Sequence, residues 1–128
     1  MSQWDNLSIQ ACVEAILSGV PELDHHLGGR PFMTAYQIAI EFARAYPHQF
    51  ELLRKEVGGK GTGVRHSVSQ YLANELSRKI QAGQIVNVEG AFLSNRYINK
   101  LSFHNAPSDV ESSISGNRAS LSMFRLRT

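Results

Sequence analysis

Four apolar residues at four-residue spacing, Val68, Leu72, Leu76 and Ile80, limit the folds open to this chain more than any other feature. With Tyr71 and Ala73 on either side they make one apolar stripe along a helix over 67–82. Both ends of that helix are written into the sequence. Ser67 stands at the N-cap position with Gln70 three residues on, a capping-box pair, and Gly83 supplies the left-handed residue that closes many helices. A one-stripe helix is stable only when the stripe is covered, so other elements must pack on it. The opposite face carries Gln70, Asn74, Ser77, Arg78 and Gln81, with Glu75 at its edge. An ordinary solvated face mixes Glu with Lys, whereas amide, hydroxyl and guanidinium groups are those that read base edges.

The covering elements follow from the same rules. Ile9, Cys12, Val13, Ile16 and Leu17 predict a helix over 7–18, capped by Asp5 or Asn6 and stopped by Gly19, Val20 and Pro21. A polar connector with paired glycines leads to a second helix over 34–46. Thr34 and Gln37 form a capping box there, and Met33 and Ile38 a hydrophobic staple. Pro47 ends that helix and opens a third over 48–57, with Phe50, Leu53 and Val57 inward and Gly58 as its stop. After Gly83 the period falls to two. Ile85, Val86 and Val88 alternate with polar residues, Gly90 interrupts, and Ala91–Leu93 resumes, so a hairpin over 84–93 turning at Gly90 is expected. Residues 94–103 suit either a helical turn or a strand. The fold class is therefore mainly α with a small β-hairpin, an α+β domain over 1–105. A Ser-rich flexible tail over 106–128 follows, whose last residues, LSMFRLRT, add an edge strand, dock on a partner or stay loose.

Composition bounds the rest. A chain of 128 residues, 42% hydrophobic and 19% charged, fits one globular domain. A single cysteine, Cys12, excludes an internal disulfide framework. No apolar run is long enough for a membrane span, and the first residues carry an acid and no basic region, so no membrane partner and a cytoplasmic protein are expected. Charge is uneven. Residues 1–53 carry two bases against six acids, whereas residues 54–80 carry Arg54, Lys55, Lys60, Arg65, Arg78 and Lys79 against Glu56 and Glu75. A local basic excess in a near-neutral chain is the usual footprint of phosphate contacts, and also occurs on plain solvated surfaces.

The loop GGKGTG before helix 67–82 lacks the P-loop spacing, since Arg54 stands where the first glycine belongs and no strand leads in. Flexible amides beside a helix start, with Lys60, Thr62 and Arg65 alongside, still suit an anion. The five histidines have no ligand spacing, so no metal or other cofactor is expected. No serine sits in a nucleophile elbow, and the chain reads as non-enzymatic.

Helices over 34–46, 48–57 and 67–82 followed by strands over 84–93 resemble, in element order, the winged-helix DNA-binding domains. The resemblance makes helix 67–82 the recognition helix and the turn at Gly90 the wing. It makes helix 7–18 an extension of the kind used for dimerisation. On that basis a small nucleic-acid-binding protein with a role in transcription regulation is expected, with DNA ahead of RNA. Lys60, Thr62, Arg65 and His66 are placed at phosphates, and Gln70, Asn74 and Arg78 at bases. The alternative is a protein-interaction module on the same scaffold, and an exposed apolar face on helix 7–18 would add a homodimer contact.

Overall fold

The computed structural model describes residues 2–21, 29–59, 62, 66–112 and 121–127. Helices and a small antiparallel sheet enclose one main core, an α+β arrangement. The N-terminal helix is broken in two. α1 (Gln3–Asn6) is capped by the Ser2 hydroxyl and buries Trp4; α2 (Ile9–Ser18) starts after Ser8, whose φ of 53° is left-handed. The bend at Leu7 and Ser8 lets Trp4 and the α2 stripe reach the same core. That stripe, Ile9, Cys12, Val13, Ile16 and Leu17, is buried within the molecule. The expected apolar dimer face on helix 7–18 is thus used internally, and burial also raises the pKa of the Cys12 thiol.

β1 (Met33–Thr34) runs into α3 (Ala35–Ala45) through the expected capping box. Gln37 N donates to Thr34 Oγ1 at 3.2 Å, and Thr34 N donates to Gln37 Oε1 at 2.7 Å. α4 (Pro47–Leu53) has proline in its first turn, as expected, but stops short of Val57. Arg54 turns left-handed at φ 56°, and Glu56 pairs with the start of the next helix instead. α5 (Val68–Gln81) buries Val68, Leu72 and Leu76 against α3, whose Ile38, Ala39 and Phe42 face it across the core.

Two expectations fail after α5. β2 (Val88–Leu93) is one unbroken strand, not a hairpin, and Gly90 lies inside it opposite Phe124. A Cβ at Gly90 would stand 3.2 Å from the Phe124 ring, so this glycine marks a close approach rather than a turn. The chain then passes through a turn at Asn95–Ile98 to β3 (Ser102–Phe103), which pairs with β4 (Val110–Glu111). β5 (Leu121–Leu126) is the second correction. It lies between β1 and β2 as the central strand, antiparallel to both, rather than as an edge strand, a docking segment or a loose end. The alternation hidden in LSMFRLRT explains it. Phe124 and Leu126 face the main core and Leu121 faces the other side, where it joins a smaller cluster, and β5 satisfies the ladders of two neighbours at once. A smaller cluster of Tyr36, Val110 and Leu121, with Tyr36 stacked on Phe103 at 5.3 Å, fastens the β3–β4 pair to α3. Among the described residues no helix is long and apolar enough to cross a membrane.

Candidate nucleic-acid interface

The outer face of α5 is the candidate surface. Because Val68, Leu72 and Leu76 are fully buried, the helix cannot rotate, and Gln70, Asn74, Arg78 and Gln81 stand exposed in a row with Ser77 half-buried beside them. The side chains order one another. Gln70 Nε2 donates to Asn74 Oδ1 at 2.9 Å, one turn along. Arg78 Nη2 donates to both Glu75 oxygens at 2.8 and 2.9 Å, and this carboxylate raises the guanidinium pKa further. Glu75 sits at the edge of the face, as the sequence suggests, yet it reaches in and neutralises the arginine.

Gln70 completes only half of the expected capping box. Ser67 Oγ accepts from Gln70 N at 3.1 Å, but the Gln70 side chain turns to Asn74 instead of back to the cap. The other first-turn amides are also engaged. Val68 N donates to Glu56 O at 2.7 Å, Ser69 N to Val57 O at 2.9 Å, and Tyr71 N to Ser67 O at 3.0 Å. A helix N-terminus attracts anions through unpaired N–H groups, and here Glu56, Val57 and Ser67 have taken them. The paired glycines have a packing reason as well. Gly58, at φ 123°, has room for no Cβ, which would lie 2.3 Å from Ser69 Oγ and 2.4 Å from Ser67 Oγ; one at Gly59 would lie 2.6 Å from Glu111 O.

Of the residues placed at phosphates, His66 is exposed at the α5 start. Thr62 lines a cleft of about 400 Å³ with Glu56, Ser108, Asp109 and Glu111, an acidic setting. Lys60 and Arg65 lie outside the described residues. Part of the basic excess serves packing: the Lys55 ammonium lies 5.8 Å from the Tyr71 ring centre, and that of Lys79 lies 5.5 Å from the Trp4 ring centre.

Two neighbouring features escaped the sequence reading. A groove of about 180 Å³ separates Ser77, Ile80 and Gln81 of α5 from Gly90, Ala91 and Phe92 of β2. Beyond β2, Tyr97 is 94% exposed with φ at 64°, and the Arg96 guanidinium lies 5.4 Å from its ring centre. The Arg-Tyr pair was legible only as part of an ambiguous stretch, because Tyr97, Ile98 and Leu101 imitate a helical stripe.

The chain matches none of the protein-family models, curated proteins or solved structures with which it was compared.

Proposed function

We propose that this chain is a winged-helix-type nucleic-acid-binding protein, DNA ahead of RNA, with a regulatory rather than catalytic role. One observation carries the reading: the exposed Gln70–Asn74–Arg78–Gln81 row, with half-buried Ser77 beside it, lies on a helix held rigid by its buried side and flanked by the β2–β5 pair. In this reading α5 enters the major groove, where Gln70 and Asn74 offer amide donor and acceptor pairs to adenine, and Arg78 offers its fork to guanine. The wing is the excursion from Ser94 toward β5, with Arg96 and Tyr97 on it, in place of a turn at Gly90. Lys60, Thr62, Arg65 and His66 retain their assignment to phosphates, through side chains alone, since the α5 first-turn amides are engaged.

Pairing of Arg78 with Glu75 has a consequence for binding. The arginine gives up a carboxylate to reach a base, so base contact is selective and the backbone attraction from this face is weak. Fluorescence anisotropy against random and selected duplexes, at low and moderate salt, tests this. Asn74→Ala is expected to relax discrimination at one base pair by about 1–3 kcal/mol. Arg65→Ala is expected to weaken all sequences alike and flatten the salt slope by roughly one unit. Equal losses on selected and random duplex for Asn74→Ala would remove base reading, and no binding at low salt would remove the whole proposal. A protein-interaction role is the second reading, favoured by exposed Val86, Phe92 and Leu93 beside the same helix.

A further inference from the structure

β2 lies at the edge of its sheet, and past the fully buried Val88 its residues Gly90, Phe92 and Leu93 are exposed. Its inner side is paired with β5 along its whole length, and Asn87 O accepts from Arg127 N at 2.9 Å. Antiparallel pairs alternate, so the bonded pairs on this side fall at Glu89, Ala91 and Leu93. The N–H and C=O groups of Val88, Gly90 and Phe92 point outward, and among the described residues no strand takes them. Proteins usually blunt such an edge with lysine, proline, a bulge or brevity. β2 has six residues and neither Lys nor Pro. Its one charge, Glu89, is held by Arg125 at 2.7 Å and Arg127 at 3.5 Å. Around the edge Val86, Phe92 and Leu93 are exposed, Phe92 at 68%.

We propose that β2 pairs antiparallel with β2 of a second copy, about a two-fold axis through Ala91, to make one six-stranded sheet. The register follows from the residues. Outward groups must meet outward groups, which allows shifts of two residues only. An axis through Glu89 sets two carboxylates against each other. An axis through Gly90 sets glycine against glycine and places Phe92 beside Val88, which is already fully buried. An axis through Ala91 sets each Phe92 across from the Gly90 of the other copy, where the ring lies beside Phe124 over the groove lined by Ser77, Ile80 and Gln81, and each Glu89 across from Leu93. Ala91 then meets its own copy at a non-bonded position, where strands approach most closely and a small residue fits. A two-fold axis normal to the sheet keeps both α5 helices on one side of it. The inference is independent of the nucleic-acid reading.

The test uses the whole chain. Light scattering over a dilution series is expected to give twice the 14.2 kDa chain mass at high concentration, returning to one chain mass on dilution. Phe92→Lys is expected to shift that transition at least tenfold upward in concentration with an unchanged melting curve. Under mild oxidation Ala91→Cys is expected to cross-link two chains, because a non-bonded antiparallel pair lies within disulfide reach. Leu93→Cys is expected not to, since residue 93 faces residue 89 of the other copy. A single chain mass at every concentration overturns the proposal. So does a dimer indifferent to Phe92→Lys, or equal cross-linking at both positions.

Discussion

Gly58 and Gly83 look alike in the sequence, each following a helix-forming stretch, yet they face different surroundings. At Gly83, φ is 76° and a Cβ would meet nothing within 4 Å, so only backbone strain opposes a side chain. At Gly58 the same atom would strike the Ser67 and Ser69 hydroxyls, which lie 2.8 Å from each other beneath it. Gly83→Ala is expected to cost about 1 kcal/mol and Gly58→Ala roughly 3 kcal/mol in urea unfolding. Similar costs for the two would show that the Gly58 contact relaxes freely. Tyr71 gives a pH test. Burial, then the Glu75 and Asp5 carboxylates, push its pKa up to about 12 from 10.0. The folded state therefore favours the neutral phenol. That stabilisation is complete below pH 10 and is lost as pH rises toward 12. Thermal melts of Tyr71→Phe are expected to fall less steeply over that window than those of the parent, by on the order of 1 kcal/mol, with solvent screening the carboxylates.

Helix ends separate what was legible from what was not. Thr34 and Gln37 read as a capping box and form one, because both groups of the box are local and nothing competes for them. Ser67 and Gln70 read the same way, but Asn74 offers the Gln70 amide a partner one turn on, and the cap is completed from residues 56–57. Helix period and caps were visible because they depend on near neighbours. The row on α5 was visible for the same reason, whereas Glu75 closing on Arg78 depended on side-chain reach. Ser67→Ala is expected to cost about 1–2 kcal/mol, since it removes the cap of Gln70 N and a partner of the buried Ser69 hydroxyl. Ser8→Ala is expected to stay within about 0.5 kcal/mol, because the Ser8 side chain caps nothing. Paired urea titrations of the two variants decide this.

For the whole molecule the decisive element was the least legible one. β5 carries Phe124, 2% exposed, opposite both Met33 and Gly90, so partners far apart in sequence meet on one residue. No local pattern announces such pairing, and a Ser-rich approach makes LSMFRLRT resemble a tail. Phe124→Ala is expected to cost about 3–5 kcal/mol. A chain ending at Ser112 is expected to lack a cooperative melt, since the main core would lose the strand that joins its two edges. A cooperative melt in that shortened chain would return β5 to the status of an appendage.

The position of β5 also sets an order in time. A ribosome delivers β1 and β2 long before Leu121–Leu126, and neither has its sheet partner until then. The helices can gather while the chain is still growing, but the sheet closes only from the far end, by insertion of the last strand between two that are waiting. Met33 must then find Phe124 across 91 residues of chain, which places the slow step of folding after Leu121–Leu126 has been made. During that interval the two waiting strands are the surfaces a chaperone would have to cover.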